Sequence, residues 1–259
     1  MTDRVIVEEP LTIMVHQVGS FTLMCTPSDI EALAVGFLYS EGMIRSADEV
    51  TAILAKKHLP NVIGIELQEP VLSGVARNLV VASSCGMCGV RNLQKMLSEV
   101  PACPHTLEMP EDLLFAVTER LRSRQEVFAQ TGSSHAAALF DHTGTIVAFA
   151  EDIGRHNALD KVIGKCLLAR HMPRGYGVAL SGRVSLEMVT KAARAGVELL
   201  VAVSGVSSYA ITAAQHWNVT LCGFARNGKT NVYTGPARIR LGNHGRSLHA
   251  EQESGIESD

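Results

Sequence analysis

The apolar and polar positions of this chain fall into two differently patterned halves. Residues 1–26 (VIVEEPLTIMVHQVGSFTLMCT at their centre) alternate loosely and break near Gly19, which predicts two strands and a turn. A helix is expected next: Pro27 and Ser28 open it, Asp29 and Glu31 sit in its first turn, IEALAVGFLYSEG carries an apolar face, and Gly42 ends it. A short element over 48–56, strands at NVIGIEL and NLVVAS, the loop SSCGMCG and a helix over VRNLQKMLSEV follow. Residues 101–110 (PACPHTLEMP) hold three prolines and are taken as a domain boundary. One helix is then predicted over EDLLFAVTERLRSRQEVFAQTG. Acids open it, as suits the helix dipole, and Gly132 stops it.

The second half is more regular. HAAALF and TIVAFA flank DHTG and predict a hairpin, and NALDKVIGKCLLARHM predicts a helix. After them YGVALS, ELLVAVS and VTLCGFA alternate as strands with the helical stretches SLEMVTKAARAG and SSYAITAAQHWN. That alternation predicts βαβ units and a parallel sheet, with NVYTG as an edge strand. The fold class expected is α/β. A smaller N-terminal α+β domain spans 1–104, the α/β domain spans 105–241, and a polar tail over 242–259 is disordered.

Composition removes several classes of function. The chain has 259 residues, 46% hydrophobic and 19% charged, with a net charge of −3. That is enough to bury a sizeable core, and it lacks the basic excess of a general nucleic-acid binder. No apolar run reaches the roughly 18 residues of a membrane span, and MTDRVIVEEP lacks the apolar core of a signal peptide. A cytoplasmic protein is expected, with no membrane and no nucleic-acid partner. Six cysteines would allow three disulfides, but a chain with no secretory signal is expected to keep them reduced.

Only Cys85 and Cys88 form a pair, in SSCGMCG between a predicted strand and a predicted helix. A thiol near a helix N-terminus ionises more easily, and Arg91 adds to this. The spacing admits four readings: half of a structural zinc site, a thioredoxin-type dithiol, two inert buried thiols, or a sulfur relay. A zinc site would need a second pair or closely spaced histidines, which are missing. A thioredoxin-type pair would follow an early strand of a βαβ unit. Spacing alone does not separate a sulfur relay from redox exchange.

Two strand-to-helix junctions share one form: Ser181, Gly182, Arg183 after YGVAL, and Ser204, Gly205, Val206 after LLVAV. Helix N-termini at the carboxyl ends of parallel strands are candidate phosphate cradles, and Arg183 adds a bidentate donor. The plainer alternative is helix capping by Ser185 and Ser207. EDIGRHNALDK gathers Glu151, Asp152, Asp160 and Lys161 around the candidate site residues Arg155, His156 and Asn157. The plainer account of its charges is a solvated helix end. Arg226, Asn227, Gly228 and Lys229 follow a strand as a positive loop that suits an anion, although Asn-Gly by itself predicts only a hairpin turn. His135, in GSSHAAAL, raises the zinc deaminases. The glutamate of their H-x-E motif and a downstream C-x-x-C are both missing, so deaminase chemistry is not expected.

Taken together, MCTPSDIEALAVGFLYSEGMI, SSCGMCG, TGSSHAAAL, EDIGRHNALDKVIG, SGRVSLEMVTKAARAG and GFARNGKTNVYT resemble the formate dehydrogenase accessory sulfurtransferase family, over nearly the whole chain. The resemblance implies a cytidine-deaminase-like C-terminal domain without zinc chemistry, a homodimer, and no intrinsic metal. It also implies that sulfur from a cysteine desulfurase is carried as a persulfide on Cys85, with Cys88 assisting. The acceptor is then the bis(molybdopterin guanine dinucleotide) molybdenum cofactor, bound as substrate before formate dehydrogenase receives it. The guanine-dinucleotide contact matches Phe224 to Lys229. A pure cofactor-binding chaperone and a dithiol oxidoreductase are the rival functions. The chain departs from the family at VHQVGS, at Ser133, where glycine is common, and in the loop RNGKTN, which leaves individual cofactor contacts open.

Overall fold

The computed structural model describes residues 3–55, 59–68, 79–80 (backbone only) and 100–240. The Cys85–Cys88 pair, the helix expected over VRNLQKMLSEV and the tail 242–259 lie outside the described residues.

The alternation in the first 26 residues becomes a hairpin of β1 (Glu9–Val15) and β2 (Gly19–Cys25). Leu11, Ile13, Val15, Phe21, Leu23 and Cys25 are buried on one face, as a period of two requires. With β3 (Val50–Ala55), β4 (Val62–Leu67) and β5 (Leu79–Val80) they form a sheet ordered β3-β4-β1-β2-β5. Helix α1 (Ile30–Ser40) is buried at every position from Ala32 to Ser40, more completely than one apolar face requires.

The reason is α4 (Arg155–Leu168), which crosses α1 at backbone distance. A Cβ at Gly36 would collide with the Asp160 carbonyl, and one at Gly164 with that of Ala32. Ion pairs also join the two halves. Lys165 Nζ lies 2.7 Å from Asp29, and Lys191 Nζ lies 3.3 Å from Glu41 and 2.7 Å from Asp160, which accepts from Ser40 Oγ at 2.6 Å. One apolar core therefore runs from the first sheet into the second.

The second sheet is ordered β12-β11-β10-β9-β7-β8. Its parallel centre is β9 (Gly177–Leu180), β10 (Leu199–Ala202) and β11 (Thr220–Arg226), with crossovers through α5 (Leu186–Arg194) and α6 (Ser208–His216). The hairpin β7 (His135–Phe140) and β8 (Ile146–Asp152) adds to one side through an antiparallel β7–β9 pair. β12 (Lys229–Thr234) closes the other side, also antiparallel. Side chains alternate between two buried faces: Ala137 and Leu139 join the core under α4, while Ala136, Ala138 and Phe140 join a second core under α2 (Glu111–Ser123). A sheet covered on both faces reads as continuous apolar runs. A short pair, β6 (Met109–Pro110) with β13 (Ile239–Arg240), lies beside it.

The single helix expected over 111–132 is two helices, α2 and α3 (Glu126–Thr131), broken at Arg124 and Gln125. The break frees the Val127 and Phe128 N–H groups to donate to the Glu151 carboxylate, both at 2.9 Å. Gly132 ends α3 in the left-handed conformation, φ 65°, as expected. Among the described residues no helix is long and apolar enough to cross a membrane.

Candidate functional site

Strands β8 to β11 run in one direction, so their carboxyl ends share one sheet edge with the start of antiparallel β7. That edge brings together the His135, Arg155–His156, Ser181–Arg183, Ser204–Gly205 and Phe224–Lys229 segments. Gly182 shows how closely. A Cβ there would lie 3.1 Å from His135 Nδ1 and 3.4 Å from Arg155 Cβ.

The two junctions that read alike in sequence are bound to each other. Val184 N–H donates to the Gly205 carbonyl and Ser207 N–H to the Val184 carbonyl, both at 3.0 Å. Ser207 caps α6 by accepting from Ala210 N–H at 3.2 Å. Ser185 does not cap α5, and its buried Oγ has no partner among the described residues. Arg155 Nε is also buried and has no partner among the described residues. Burial disfavours the charge of Arg155, and so does neighbouring Arg183, while Glu187 acts the other way. His156 Nε2 lies 3.0 Å from Glu187 Oε2, and this contact holds the Glu187 carboxyl below its ordinary value against the opposing effect of burial. His135 is held below its ordinary value of 6.5 by burial first, then by Arg155, Arg183 and His156. Exposed Arg183, the Arg155 Nε that no described residue engages, and the start of α5, which Ser185 leaves without a side-chain cap, suit an anion.

On the α2 side of the same edge lies a cavity of about 560 Å³. His135, Ser181, Ala225, Arg226 and Asn227 line it. So do Thr118, Arg122, Gln125, Phe128, Ser133 and Ser134, none of which sequence reasoning had marked as site residues. Phe224 is exposed at φ 53°, a costly backbone conformation for a bulky residue. Its N–H donates to the Ser204 carbonyl at 3.0 Å. Its ring covers Gly205, where a Cβ would lie 3.0 Å from Cζ. Arg226 Cζ sits 6.0 Å from the ring centroid. Asn227 and Gly228 have φ 55° and 69°, the tight hairpin turn that Asn-Gly favours.

Two of the candidate site residues are engaged with the protein itself. Asn157 is buried, and its amide donates to the Met24 carbonyl at 2.8 Å and to Asp152 at 2.9 Å. Ser181 Oγ accepts from Ala136 N–H at 2.8 Å. The charges of EDIGRHNALDK are not a solvated helix end: Glu151, Asp152, Asp160 and Lys161 are all buried. Asp152 pairs with Lys161 at 2.7 Å, accepts from Gly154 N–H at 2.8 Å and takes the Thr26 N–H at 3.1 Å. It thereby fastens the α4 N-terminus to the loop after β2.

The described cysteines are free, so the three-disulfide alternative fails at these four positions. Burial pushes Cys25, Cys103 and Cys166 up to about 11 and Cys222 up to about 12. Among the described residues no group of three His, Cys, Asp or Glu side chains is placed to hold a metal.

Fold and edge together define a mixed α/β protein with a cationic, cavity-bearing edge at the carboxyl ends of its parallel strands. The chain belongs to the FdhD/NarQ family, whose model matches residues 6–240. It is 39% identical over 242 residues to the "Sulfur carrier protein FdhD" of Saccharolobus solfataricus, covering 92% of this chain and 91% of that one. A protein of the same description from Streptomyces avermitilis is 40% identical over 257 residues, covering 92% and 90%. The crystal structure of a putative formate dehydrogenase accessory protein from Desulfotalea psychrophila superposes with a TM-score of 0.74 at 26% identity, covering 93% of this chain and 92% of that one.

Proposed function

We propose that this chain is a sulfur carrier that takes sulfur from a cysteine desulfurase and delivers it to bis(molybdopterin guanine dinucleotide) molybdenum cofactor destined for formate dehydrogenase. The carrying observation is elimination among the thiols. A persulfide acceptor must ionise. Four of the six cysteines are buried with raised pKa values, which leaves Cys85 and Cys88.

The Cys85 thiolate attacks the terminal sulfur of the donor persulfide, forming Cys85–S–SH and releasing the donor thiolate. Cys88 thiolate then attacks Cys85 Sγ, leaving a Cys85–Cys88 disulfide and freeing hydrosulfide for the bound molybdenum. An external dithiol resets the pair. The cargo's phosphates settle at Arg155, Arg183 and the α5 N-terminus, and the loop from Phe224 to Lys229 holds its nucleotide. The same reading takes residues 105–241 as a cytidine-deaminase-like scaffold beside an N-terminal domain, in a cytoplasmic homodimer.

Mass spectrometry after incubation with a desulfurase and cysteine tests the first step. Wild type and Cys88→Ala gain one sulfur atom at Cys85, and Cys85→Ala gains none and fails to activate formate dehydrogenase. Activation that survives loss of both cysteines would replace this reading with a binding chaperone. Insulin reduction by the pair would replace it with a dithiol oxidoreductase.

A further inference from the structure

Helix α3 is six residues long, buries none of its side chains and has no side-chain cap at Gln125. A helix that short has little stability of its own. Yet Phe128 and the Gly132–Ser134 turn after it form one wall of the cavity. The group that fixes it is remote in sequence. Glu151, 8% exposed at the end of β8, accepts from Val127 N–H and Phe128 N–H at 2.9 Å each, and from Ser134 Oγ at 2.6 Å. Three donors converge on one buried carboxylate, and two of them are N–H groups left free by the start of α3. Neighbouring Asp152 engages the α4 side, as the alternation of a strand requires.

We propose that Glu151 is a positioning residue for cargo binding: it acts as the N-cap of α3 from another strand and so sets the cavity wall that the nucleoside end of the cargo meets. This rests on the proposed carrier function, because it takes the occupant of the cavity to be a nucleoside diphosphate group. An amide in place of the carboxylate keeps one acceptor and turns an NH₂ toward an N–H donor.

The test compares the full chain with Glu151→Gln and Ser134→Ala. Hydrogen exchange is read at Val127 and Phe128, and affinity is read for guanosine diphosphate and for pyrophosphate. In Glu151→Gln, exchange at those two amides rises by about tenfold or more, while β9 and β10 stay protected. Guanosine diphosphate affinity falls by about fivefold or more, and pyrophosphate affinity stays within about twofold, because the arginine seat is untouched. Ser134→Ala removes one donor of three and gives a smaller change in the same direction, which carries the test if Glu151→Gln does not fold. Unchanged exchange at Val127 and Phe128 overturns the proposal, and so does faster exchange with guanosine diphosphate affinity intact. Faster exchange spread over the whole sheet overturns it as well, since that marks a purely structural role. If wild type binds pyrophosphate but not guanosine diphosphate, the cargo reading fails, while the exchange data still decide whether Glu151 anchors α3.

Discussion

The junctions after β9 and β10 are near copies in sequence and opposites in structure. Ser204–Gly205–Val206 is closed: Ser207 caps its helix, Phe224 N–H takes the Ser204 carbonyl and the Phe224 ring covers Gly205. Ser181–Gly182–Arg183 is open on its helix side, although Ser181 Oγ takes the Ala136 N–H: Ser185 caps nothing, its Oγ has no partner among the described residues, and Arg183 is exposed. A strand, a glycine and a helix start therefore do not by themselves leave groups available to an anion. What decides is whether the protein has already satisfied the groups that an anion would use.

The strongest way to break this contrast is to reverse a charge on the open side. Arg183→Glu is expected to weaken pyrophosphate binding on the order of 10- to 100-fold, the loss of a charge-assisted contact. Titration calorimetry measures it, and an unchanged affinity moves the seat elsewhere. On the closed side Gly205→Ala presses a methyl against the Phe224 ring, and overpacking of that kind costs about 1–3 kcal/mol. Urea unfolding reads that loss, and pyrophosphate binding should hardly change.

The two serines sharpen the contrast. Ser207→Ala removes a working cap and should cost about 1 kcal/mol. Ser185→Ala removes a hydroxyl with no partner among the described residues and should change stability by less than about 0.5 kcal/mol. Equal losses in paired denaturation curves would mean that both junctions are merely capped.

The smallest effect is electrostatic. His135 lies below 6.5 in the folded protein, through burial and then the adjacent arginines. The unfolded chain takes up that proton at higher pH. The stability due to neutral His135 is thus complete above about 6.5 and declines as pH falls through the folded value. An anion beside Arg155 and Arg183 offsets their charge, so saturating pyrophosphate should raise the His135 pKa, as followed by NMR of its ring proton. A pKa that pyrophosphate leaves in place separates His135 from the seat.

Much of this architecture is legible along the chain because period and punctuation are local signals. The β1–β2 hairpin, the βαβ alternation, the edge strand β12 and the Gly132 stop all fall where residue patterns place them. The misses share one cause, partners distant in sequence. The helix break at Arg124–Gln125 answers to Glu151. The inward turn of Asn157 answers to Met24. The cavity wall from Thr118 to Phe128 gains meaning only when α2 lies against the edge of another element. Charges at a helix start suggested solvent, yet Asp152 and Lys161 are buried because each satisfies the other.

The glycine crossing of α1 and α4 bears on how the protein is made. Residues Ala32 to Ser40 are shielded largely by a helix whose own glycine, Gly164, lies more than a hundred positions further on. During synthesis, α1 leaves the ribosome long before its cover exists. The nascent chain must carry an exposed greasy segment through that interval, which makes it a natural client for holdase chaperones and prone to clumping when translation stalls before residue 164.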